Sequence, residues 1–369
     1  MRTKMVTTYL RRAYRSFALN ILDIPSRLLA LLLIVLFLAI PGILPSNPLM
    51  SYLLSVLITA SVMAIFASSW DLLVGRCGQI SLGHAIFFGV GAYTTALFFK
   101  NYGLPPWIGI LIGVLIATAI SLPIGFPALR VKGPYLALVS LALPLIATSI
   151  VFATKDITGG ENGLPIPVAG RFFQLTNIHN LRIAEYYLTF LLLLVSAIII
   201  HKIANSRTGI VFVSILDDEM ASKACGINVT RYKLMAFAIS AAFASLAGGV
   251  NVHLLLSASH GDFSLTLSFF AVIMTVLGGM GTIYGAIVGS YIIYFLDMYF
   301  LRMVVDVPDV WHVLIFIIPV IILVIKWPRG IARFATDKLE DLSEDRTLEE
   351  RGKRIWKKYR RKKKSANEG

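Results

Sequence analysis

Charged residues are scarce in this chain of 369 residues: Asp, Glu, Lys and Arg make up 15% of the sequence, against 57% hydrophobic residues. So large an apolar excess cannot be buried inside a water-soluble core of this size. The shortage of charge therefore argues against a soluble protein and predicts a chain whose solvent is lipid.

Cysteine is scarce as well. The two cysteines, Cys77 and Cys225, lie far apart in the sequence, and both fall on the side that the charge pattern assigns to the cytoplasm. This argues against a disulfide framework and against a zinc site.

Catalytic motifs are missing. The sequence contains no GxxxxGK[ST], HExxH or GxSxG, so no P-loop, zinc-protease or serine-hydrolase chemistry is expected. Its six histidines have no metal-ligand spacing, and no chain of acidic residues crosses the apolar runs, which argues against a proton-driven pump. We expect no catalytic residue, no metal and no cofactor.

Long apolar runs are what the sequence does have. Ten runs of about 20 residues predict an all-α polytopic membrane protein with about ten transmembrane helices. The third and eighth runs contain or adjoin glycine-rich segments and are candidates for re-entrant or broken helices. The predicted spans are 28–44, 49–74, 82–99, 107–126, 135–154, 184–203, 234–255, 264–277, 283–301 and 311–325.

The distribution of positive charge predicts the orientation. With both termini in the cytoplasm, five cations lie outside and the other 29 of the 34 lie inside, as the positive-inside rule requires. The net charge of +14 therefore relates to topology, and nucleic acid is not an expected partner. The five outer residues are Lys100, Lys155, Arg171, Arg182 and Arg302.

Composition divides the chain into a cytoplasmic basic leader (1–27), a transmembrane domain (28–327) and a cytoplasmic charged tail (328–369). The basic end of the tail, with Trp356 and Tyr359 interleaved, suits anionic lipid headgroups, which attract each such charge by about 1 kcal/mol. The alternative is a disordered end that only holds the terminus inside.

The long charged break on the inner side, residues 205–233, carries its own helix signals. Ser214 and Asp217 have the spacing of a capping box, and acidic residues at 217–219 suit the positive end of a helix dipole. Gly226 suits a left-handed helix end.

One helical face of this segment would carry Leu216, Met220 and Ala224, which follow one another at intervals of four residues. We interpret the segment as a short surface helix that docks into a partner. A solvated helix that merely joins two spans fits the pattern equally well.

A second informative stretch, residues 71–93, places five glycines among polar side chains. A discontinuous helix here would present backbone N–H groups to a carboxylate, whereas the alternative is tight helix packing without a ligand. Candidate substrate-path residues are Gln79, Ser81, Gly83, His84, Phe87, Gly89 and Tyr93.

Among the ionisable residues within or near the spans, only His84 is interpreted as a path residue. The others, Asp71, His253, Asp297 and His312, are interpreted as structural or interfacial. A similar glycine cluster at 277–289 hints at an internal repeat.

Five ordered stretches carry a family resemblance: GQISLGHAIFFGVGAY (78–93), RVKGPYLALVSLA (130–142), TGGENGLPIP (158–167), SRTG with DDEMASKACGINVTRYKL (206–209 and 217–234) and LGGMGTIYGAIVG (277–289). Over residues 28–329 the chain resembles the LivM-type permease subunits of branched-chain amino acid ABC transporters. The resemblance implies an ABC importer permease fold in the inner membrane and uptake of branched-chain or other apolar amino acids.

The resemblance also implies partners: a second related permease subunit, cytoplasmic ATP-binding subunits that supply the missing P-loop, and an extracytoplasmic solute-binding protein. It makes residues 205–233 a coupling segment that contacts an ATPase. The implied contact residues are Asp217, Asp218, Glu219, Met220, Ala221 and Gly226.

Two departures from the family pattern concern the contacts and the solute. Relatives commonly carry arginines where this chain has Ile210, Val213 and Leu216, so its contact with the ATPase is expected to be more apolar. Leu145 stands where relatives often have an acidic residue, which keeps urea or another small amide or carboxylate as an alternative solute. From another class, a stand-alone secondary transporter or channel would need an ion-coupling set of charges that the spans lack.

Overall fold

The computed structural model describes residues 37–39, 41, 47–128, 134–297 and 330. The basic leader, the tenth predicted span, most of the first span and almost all of the charged tail lie outside the described residues. Contacts group the chain into two compact units, divided between Leu54 and Ser55. In the first unit, residues 37–39 and 41 are helical, and a further helix begins at Pro48.

From residue 47 to residue 297 the described chain is almost wholly helical. A π-helical turn, Leu72–Arg76, continues the first helix, and two strands, β1 (Leu164–Pro165) and β2 (Ser257–Ala258), form a short antiparallel pair. The α-helices are α1 (Pro48–Asp71), α2 (Ala85–Tyr102), α3 (Pro106–Ala128), α4 (Pro134–Ala153), α5 (Lys155–Thr158), α6 (Ile178–Ala204), α7 (Arg207–Asp217), α8 (Glu219–Ala224), α9 (Val229–Leu255), α10 (Leu265–Gly278) and α11 (Tyr284–Tyr294).

Five helical stretches among the described residues are long and apolar enough to cross a membrane, and they correspond to the second and the fourth to seventh predicted spans. They are Leu49–Arg76, Pro106–Phe126, Tyr135–Ala153, Ile178–Ala204 and Val229–Leu255. The helix α2 covers most of the third predicted span but is less apolar, and the apolar helices at 265–278 and 284–297 are shorter. A polytopic helical protein is therefore confirmed, whereas the described residues do not establish a count of about ten spans.

The helix α9 lies at the centre of the second unit, where it packs against both α2 and α3. Small residues allow this close approach, because Gly91 of α2 faces Ser245, Gly248 faces the backbone carbonyl of Phe88, and Gly249 faces Thr95. Without a hydrophobic driving force between helices in lipid, such backbone proximity gains the dispersion energy that holds helices together.

At one end of α9 the chain forms a cap from two loops. Leu164 of β1 pairs with Ala258 of β2, and the Ile166 N–H donates to the Leu256 carbonyl at 2.8 Å. The buried His253 places Nδ1 2.6 Å from the carbonyl oxygen of Gly170. The glycine- and proline-rich loop before α6 is thus fastened to α9 through short elements and does not form a separate domain.

The other end of α9 carries the segments that the sequence predicts on the inner side. There α9 contacts the π-helical turn, α7 and α8. The π-helical turn, α7 and α8 therefore gather at one end of α9, and the loops that carry Gly170 and the two strands lie at the other.

The close approach of α9 to α2 gives a testable prediction. We expect Gly248→Ala to lower the free energy of unfolding by about 1–3 kcal/mol, because the new Cβ would collide with the Phe88 carbonyl, which cannot move without its helix. The measurement is the unfolding temperature of the purified protein in detergent.

The neighbouring residue provides the matched control. The atoms nearest to a Cβ at Gly249 belong to side chains, Thr95 Oγ1 at 3.0 Å and Ile110 Cγ1 at 3.1 Å, and the Ile110 Cα at 3.6 Å is in ordinary contact. Since these can shift, Gly249→Ala should cost less than about 1 kcal/mol. Equal losses in the two variants would contradict this account of the packing.

Candidate functional site

Residues 77–84, named here the first break, separate the π-helical turn from α2, and residues 78–84 of this stretch are not helical. Side chains from three helices satisfy the backbone instead. The indole of Trp70 donates to the Ser81 carbonyl at 2.7 Å, Ser140 Oγ accepts from the Leu82 N–H at 2.8 Å, and Ser268 Oγ accepts from the Ala85 N–H at 3.0 Å. Non-helical backbone at membrane depth requires such partners.

His84 is fully buried at the end of the first break, against the ring of Phe66 at 5.2 Å between centroids. Its Nε2 lies 2.8 Å from Ser69 Oγ and 3.4 Å from Ser240 Oγ. Both hydroxyl groups donate elsewhere, Ser69 to the Phe66 carbonyl and Ser240 to the Ser69 carbonyl. Nε2 must therefore be the donor, which leaves Nδ1 as an acceptor, and this atom has no partner among the described residues.

The other predicted path residues take part in packing or in local hydrogen bonds. Gly83 lies against the backbone of Ser140, and Gly89 lies against the ring of Phe263, which also stacks on Tyr93 at 5.5 Å. The ring of Phe87 meets Phe237 edge-on at 5.4 Å, and Gln79 donates to the Cys77 carbonyl at 3.0 Å.

The first N–H groups of α2 are already engaged. Ala85 donates to Ser268, Ile86 to the Gly83 carbonyl at 3.2 Å, and Phe87 to the His84 carbonyl at 3.2 Å. In this conformation the helix start does not offer them to a carboxylate.

Several buried polar atoms near α2 have no hydrogen-bond partner among the described residues. The sequence singled out three of their side chains, whereas Ser68 and Ser245 were missed because serines in apolar helices carry no local signal. The atoms are Ser68 Oγ, Ser81 Oγ, His84 Nδ1, Tyr93 OH and Ser245 Oγ. Such atoms are suited to accept or donate hydrogen bonds to a polar solute that enters between the helices.

The coupling segment is two helices rather than one. Ser206 caps α7 by accepting from the Gly209 N–H at 3.4 Å, and Asp218 caps α8 by accepting from the Met220 and Ala221 N–H groups at 2.8 and 3.0 Å. The predicted capping box at Ser214 is wrong: this residue lies inside α7, and its hydroxyl donates to the Val211 carbonyl.

The break at Asp218 also changes the predicted apolar face. Leu216 belongs to α7, whereas Met220 and Ala224 belong to α8, although all three are exposed. Asp217 is the last residue of α7 rather than part of a first turn.

Glu219 ties α8 to the central helix. Its carboxylate receives Lys223 Nζ and Lys233 Nζ, each at 2.8 Å, and the Lys233 side chain is only 5% exposed. Burial alone would raise the pKa of Glu219, but the hydrogen bonds and charges of the two lysines outweigh it and lower the pKa to about 2. Glu219 is thus ionised at neutral pH and bound within its own chain.

Several residues in α8 or directly after it are exposed in the described part of the chain. Met220 is 66% exposed, Ala221 is exposed, and Gly226 has no atom within 4 Å of where a Cβ would lie. Gly226 has φ +81°, and the Ile227 N–H donates back to the Ser222 carbonyl at 3.2 Å, so the predicted left-handed helix end is confirmed.

The coupling segment also reaches the first break. A cavity of about 240 Å³ lies between them, with Gln79 on one side and Glu219 and Lys233 on the other. Beside it, a Cβ on Gly78 would lie 2.8 Å from Leu216 Cδ1, so α7 packs directly on the start of the break.

Residues 52–324 match the model of a family described as the branched-chain amino acid transport system / permease component. The chain belongs to this family. Its members are transport subunits and not enzymes.

Individual relatives are similar over most of the same region. The chain is 32% identical to the high-affinity branched-chain amino acid transport system permease protein LivM of Escherichia coli, over 63% of this chain and 60% of that protein. It is 24% identical to the probable branched-chain amino acid transport permease protein LivH of Methanocaldococcus jannaschii, over 55% and 66%, and 22% identical to the fructose import permease protein FrcC of Rhizobium meliloti, over 74% and 74%. The match thus spans 60% of the length of the LivM protein, and no solved structure matches the chain.

The Glu219 ion pair gives a prediction on stability. Glu219→Gln would leave the buried Lys233 ammonium without a carboxylate, so we expect the free energy of unfolding to fall by about 3 kcal/mol. Lys223→Gln removes only the exposed partner and should cost about 0.5 kcal/mol. Thermal unfolding in detergent measures both, and similar losses would contradict the assignment.

The stability difference between the native chain and Glu219→Gln should also depend on pH. Because the pKa of Glu219 is lowered from 4.5 to about 2, its carboxylate stabilises the folded state above about pH 4.5, and this contribution is lost as the pH falls towards 2. The difference between the native chain and Glu219→Gln should be constant from about pH 7 to 5 and should shrink below about 4.5. A difference that persists undiminished at about pH 3 would argue against the ion pair.

Proposed function

We propose that this chain is the membrane-spanning permease subunit of an ATP-driven importer of branched-chain or other apolar amino acids. The family supports this, as does the similarity to a LivM protein whose name assigns it to branched-chain amino acid transport. The proposed complex contains a second related permease subunit, cytoplasmic ATP-binding subunits and an extracytoplasmic solute-binding protein. The ATPase would supply the P-loop that this sequence lacks.

The strongest structural support for the proposal is the way in which α8 is exposed on one side and anchored to α9 on the other. It is a six-residue helix with exposed Met220 and Ala221 on one side and a buried lysine partner on the other. A helix this short has little stability of its own, so its cap and its ion pair to α9 are what hold it in place. Contact of the exposed side with a moving ATPase would therefore move α9, which packs against α2 and α3.

The proposed solute path runs along the first break and α2, past Gln79, Ser81, His84 and Tyr93. The acceptor atom His84 Nδ1 has no partner among the described residues, and it suits an N–H donor such as the ammonium group of an amino acid. In the present conformation the path is closed by packing, which is expected of one state in an alternating cycle.

The proposal places the chain in the inner membrane with both termini in the cytoplasm. Residues 28–327 form the permease domain, residues 1–27 and 328–369 lie in the cytoplasm, and the basic end of the tail contacts anionic lipid. The positive-inside bias of the sequence supports this orientation.

Other solutes remain as the second candidate, since one relative is named a fructose import permease and Leu145 departs from the family pattern. A permease for urea or another small amide or carboxylate would use the same helices. A stand-alone secondary transporter or channel is disfavoured because the described spans contain few buried ionisable residues, among them Asp71 and Glu185, and both of these are paired within the chain.

The test of function is purification from the native membrane followed by reconstitution. We expect the chain to co-purify with a nucleotide-binding subunit and a second permease, and the complex to take up radiolabelled leucine only with ATP and the solute-binding protein. Purification as a lone homo-oligomer, or uptake without nucleotide, would overturn the proposal. Competition by valine but not by urea would identify the solute class.

In the reconstituted complex, Ala221→Trp tests whether the exposed side of α8 docks on the ATPase. An indole group at this exposed position leaves the internal contacts of α8 intact but would block a closely fitting partner. We therefore expect uptake to fall at least about tenfold while the chain still inserts into the membrane. The control Thr230→Trp changes an exposed residue at the same end of the unit but on α9 and should keep near-normal uptake. Normal uptake by Ala221→Trp would count against docking there.

Substitutions at His84 test the proposed solute path along the first break and α2. His84→Leu removes the unpaired acceptor and should reduce uptake several-fold at unchanged membrane abundance. His84→Gln keeps a polar group near Ser69 but cannot reproduce Nδ1, so its uptake should also be reduced at unchanged membrane abundance. Full uptake by either variant would return His84 to a packing role.

A further inference from the structure

The Asp71 side chain links the end of α1 to the segment between α10 and α11. It ends α1 and is fully buried. Its Oδ1 accepts from the Gly281 N–H at 2.6 Å and its Oδ2 from the Ile283 N–H at 2.9 Å. Residues 279–283 separate α10 from α11 and are named here the second break. One carboxylate therefore fastens the second break to the helix that leads into the first.

The second break contains an uncommon backbone turn. Ile283 has φ +60° and ψ −55°, and the Tyr284 N–H donates to the Thr282 carbonyl across it at 2.6 Å. These are the features of a γ-turn of the rare, strained kind, whose central residue has φ near +75° and ψ near −65°. A β-branched residue is poorly suited to positive φ, so this turn stores strain.

The surroundings compensate for that strain. The Ile283 side chain is fully buried in a cluster with Leu72, Ile200 and Ala204. Its N–H group, which an α-helix would have used, is held by Asp71 instead. Strained conformations persist where neighbouring groups fix them, and they are common at switching elements.

The second break also touches the π-helical turn that leads into the first break, backbone against backbone. A Cβ on Gly75 would lie 2.5 Å from the Gly281 nitrogen, and one on Gly281 would lie 3.0 Å from the Gly75 oxygen. Glycine at both positions is what permits this contact. The π-helical turn that carries Gly75 packs in turn against α6, α7 and α9.

The coupling segment packs directly against the π-helical turn and the first break. Leu216 of α7 packs on Gly78, which follows the π-helical turn by two residues and has φ +71°. A displacement of α7 and α8 would therefore shift the π-helical turn that follows Asp71. Through the Asp71 carboxylate, the same displacement would act on the strained γ-turn at Ile283.

We propose that Asp71 is a positioning residue that makes the two helix breaks move as one unit, so that motion of the coupling segment releases or restores the strained turn between α10 and α11. The inference rests on the proposed transport function, because that function supplies the motion. It assigns a role to a buried carboxylate that the sequence marked as structural or interfacial.

The native cysteines provide a reporter that does not depend on transport. Cys77 is buried directly after the π-helical turn, whereas Cys225 is exposed, and both are free thiols. In a Cys225→Ser background of the purified complex, the rate at which a maleimide labels Cys77 reports on the opening of the first break. We expect slow labelling that changes at least about threefold when ATP and vanadate trap the ATPase.

Asp71→Asn tests the clamp, by which we mean the two hydrogen bonds from the second break to the Asp71 carboxylate. Asparagine offers one carbonyl acceptor where the carboxylate offers two, so one break N–H loses its partner. We expect Cys77 labelling to become at least about tenfold faster and to lose its response to ATP and vanadate, while ATP hydrolysis continues and uptake falls. Labelling at the native rate with the native nucleotide response would overturn the proposal.

Two further variants separate positioning from simple loss of structure. Thr275→Val removes a buried hydroxyl group that donates to the Ala271 carbonyl of α10 at 2.8 Å and lies 3.4 Å from the Ala67 carbonyl of α1, so it changes a contact between the same two helices away from the breaks. It should leave the nucleotide response of Cys77 intact, and a loss equal to that in Asp71→Asn would reduce Asp71 to a structural contact. Asp71→Glu keeps both acceptor oxygens and should label at an intermediate rate. If the asparagine variant does not accumulate, an unchanged glutamate variant overturns the proposal.

The readouts also distinguish this inference from the function on which it rests. If the native complex labels in a nucleotide-dependent way but takes up no amino acid, the solute assignment fails and the clamp stands. If uptake is normal and Asp71→Asn leaves both uptake and labelling unchanged, the clamp fails and the function stands.

Discussion

The structure depends on the requirement that backbone N–H and C=O groups in lipid find partners inside the protein. Unbroken helices meet this requirement by themselves, but the two breaks do not. Several donors and acceptors in the breaks, and one at the start of α2, are taken by side chains of neighbouring helices, namely Trp70, Asp71, Ser140 and Ser268. The polar residues that look misplaced in an apolar sequence are therefore the ones that allow helices to stop inside the bundle.

A second consequence concerns the coupling segment. Asp218 divides it into two short helices, and the second is held by a carboxylate between one exposed and one buried lysine. Such a pair resists separation because, among the described residues, Glu219 is the carboxylate that the buried ammonium binds. The arrangement gives a small surface helix a rigid attachment to the core of the membrane domain while its other side stays available for a partner.

Much of this architecture follows from the sequence, and the limits have physical causes. Apolar length located the five long spans, glycine density marked both breaks, and Gly226 marked the end of α8. The capping box at Ser214 failed because Asp218, four residues later, competes for the same role and wins by binding two N–H groups. The partners of Asp71 lie 210 and 212 residues away, and those of Glu219 include one 14 residues away, so local pattern contains no trace of them.

The length of α9 has a consequence for communication between the two faces of the membrane domain. Near its start it holds Lys233, whose ammonium group binds Glu219 of α8, and near its end it holds His253, whose Nδ1 lies 2.6 Å from the Gly170 carbonyl oxygen of the loop before α6. At 1.5 Å per residue these anchors are roughly 30 Å apart, about the thickness of the hydrocarbon layer. One helix is therefore held by the rest of the chain near both of its ends, and because a helix is stiff along its axis, a displacement of one anchor would shift the other with it.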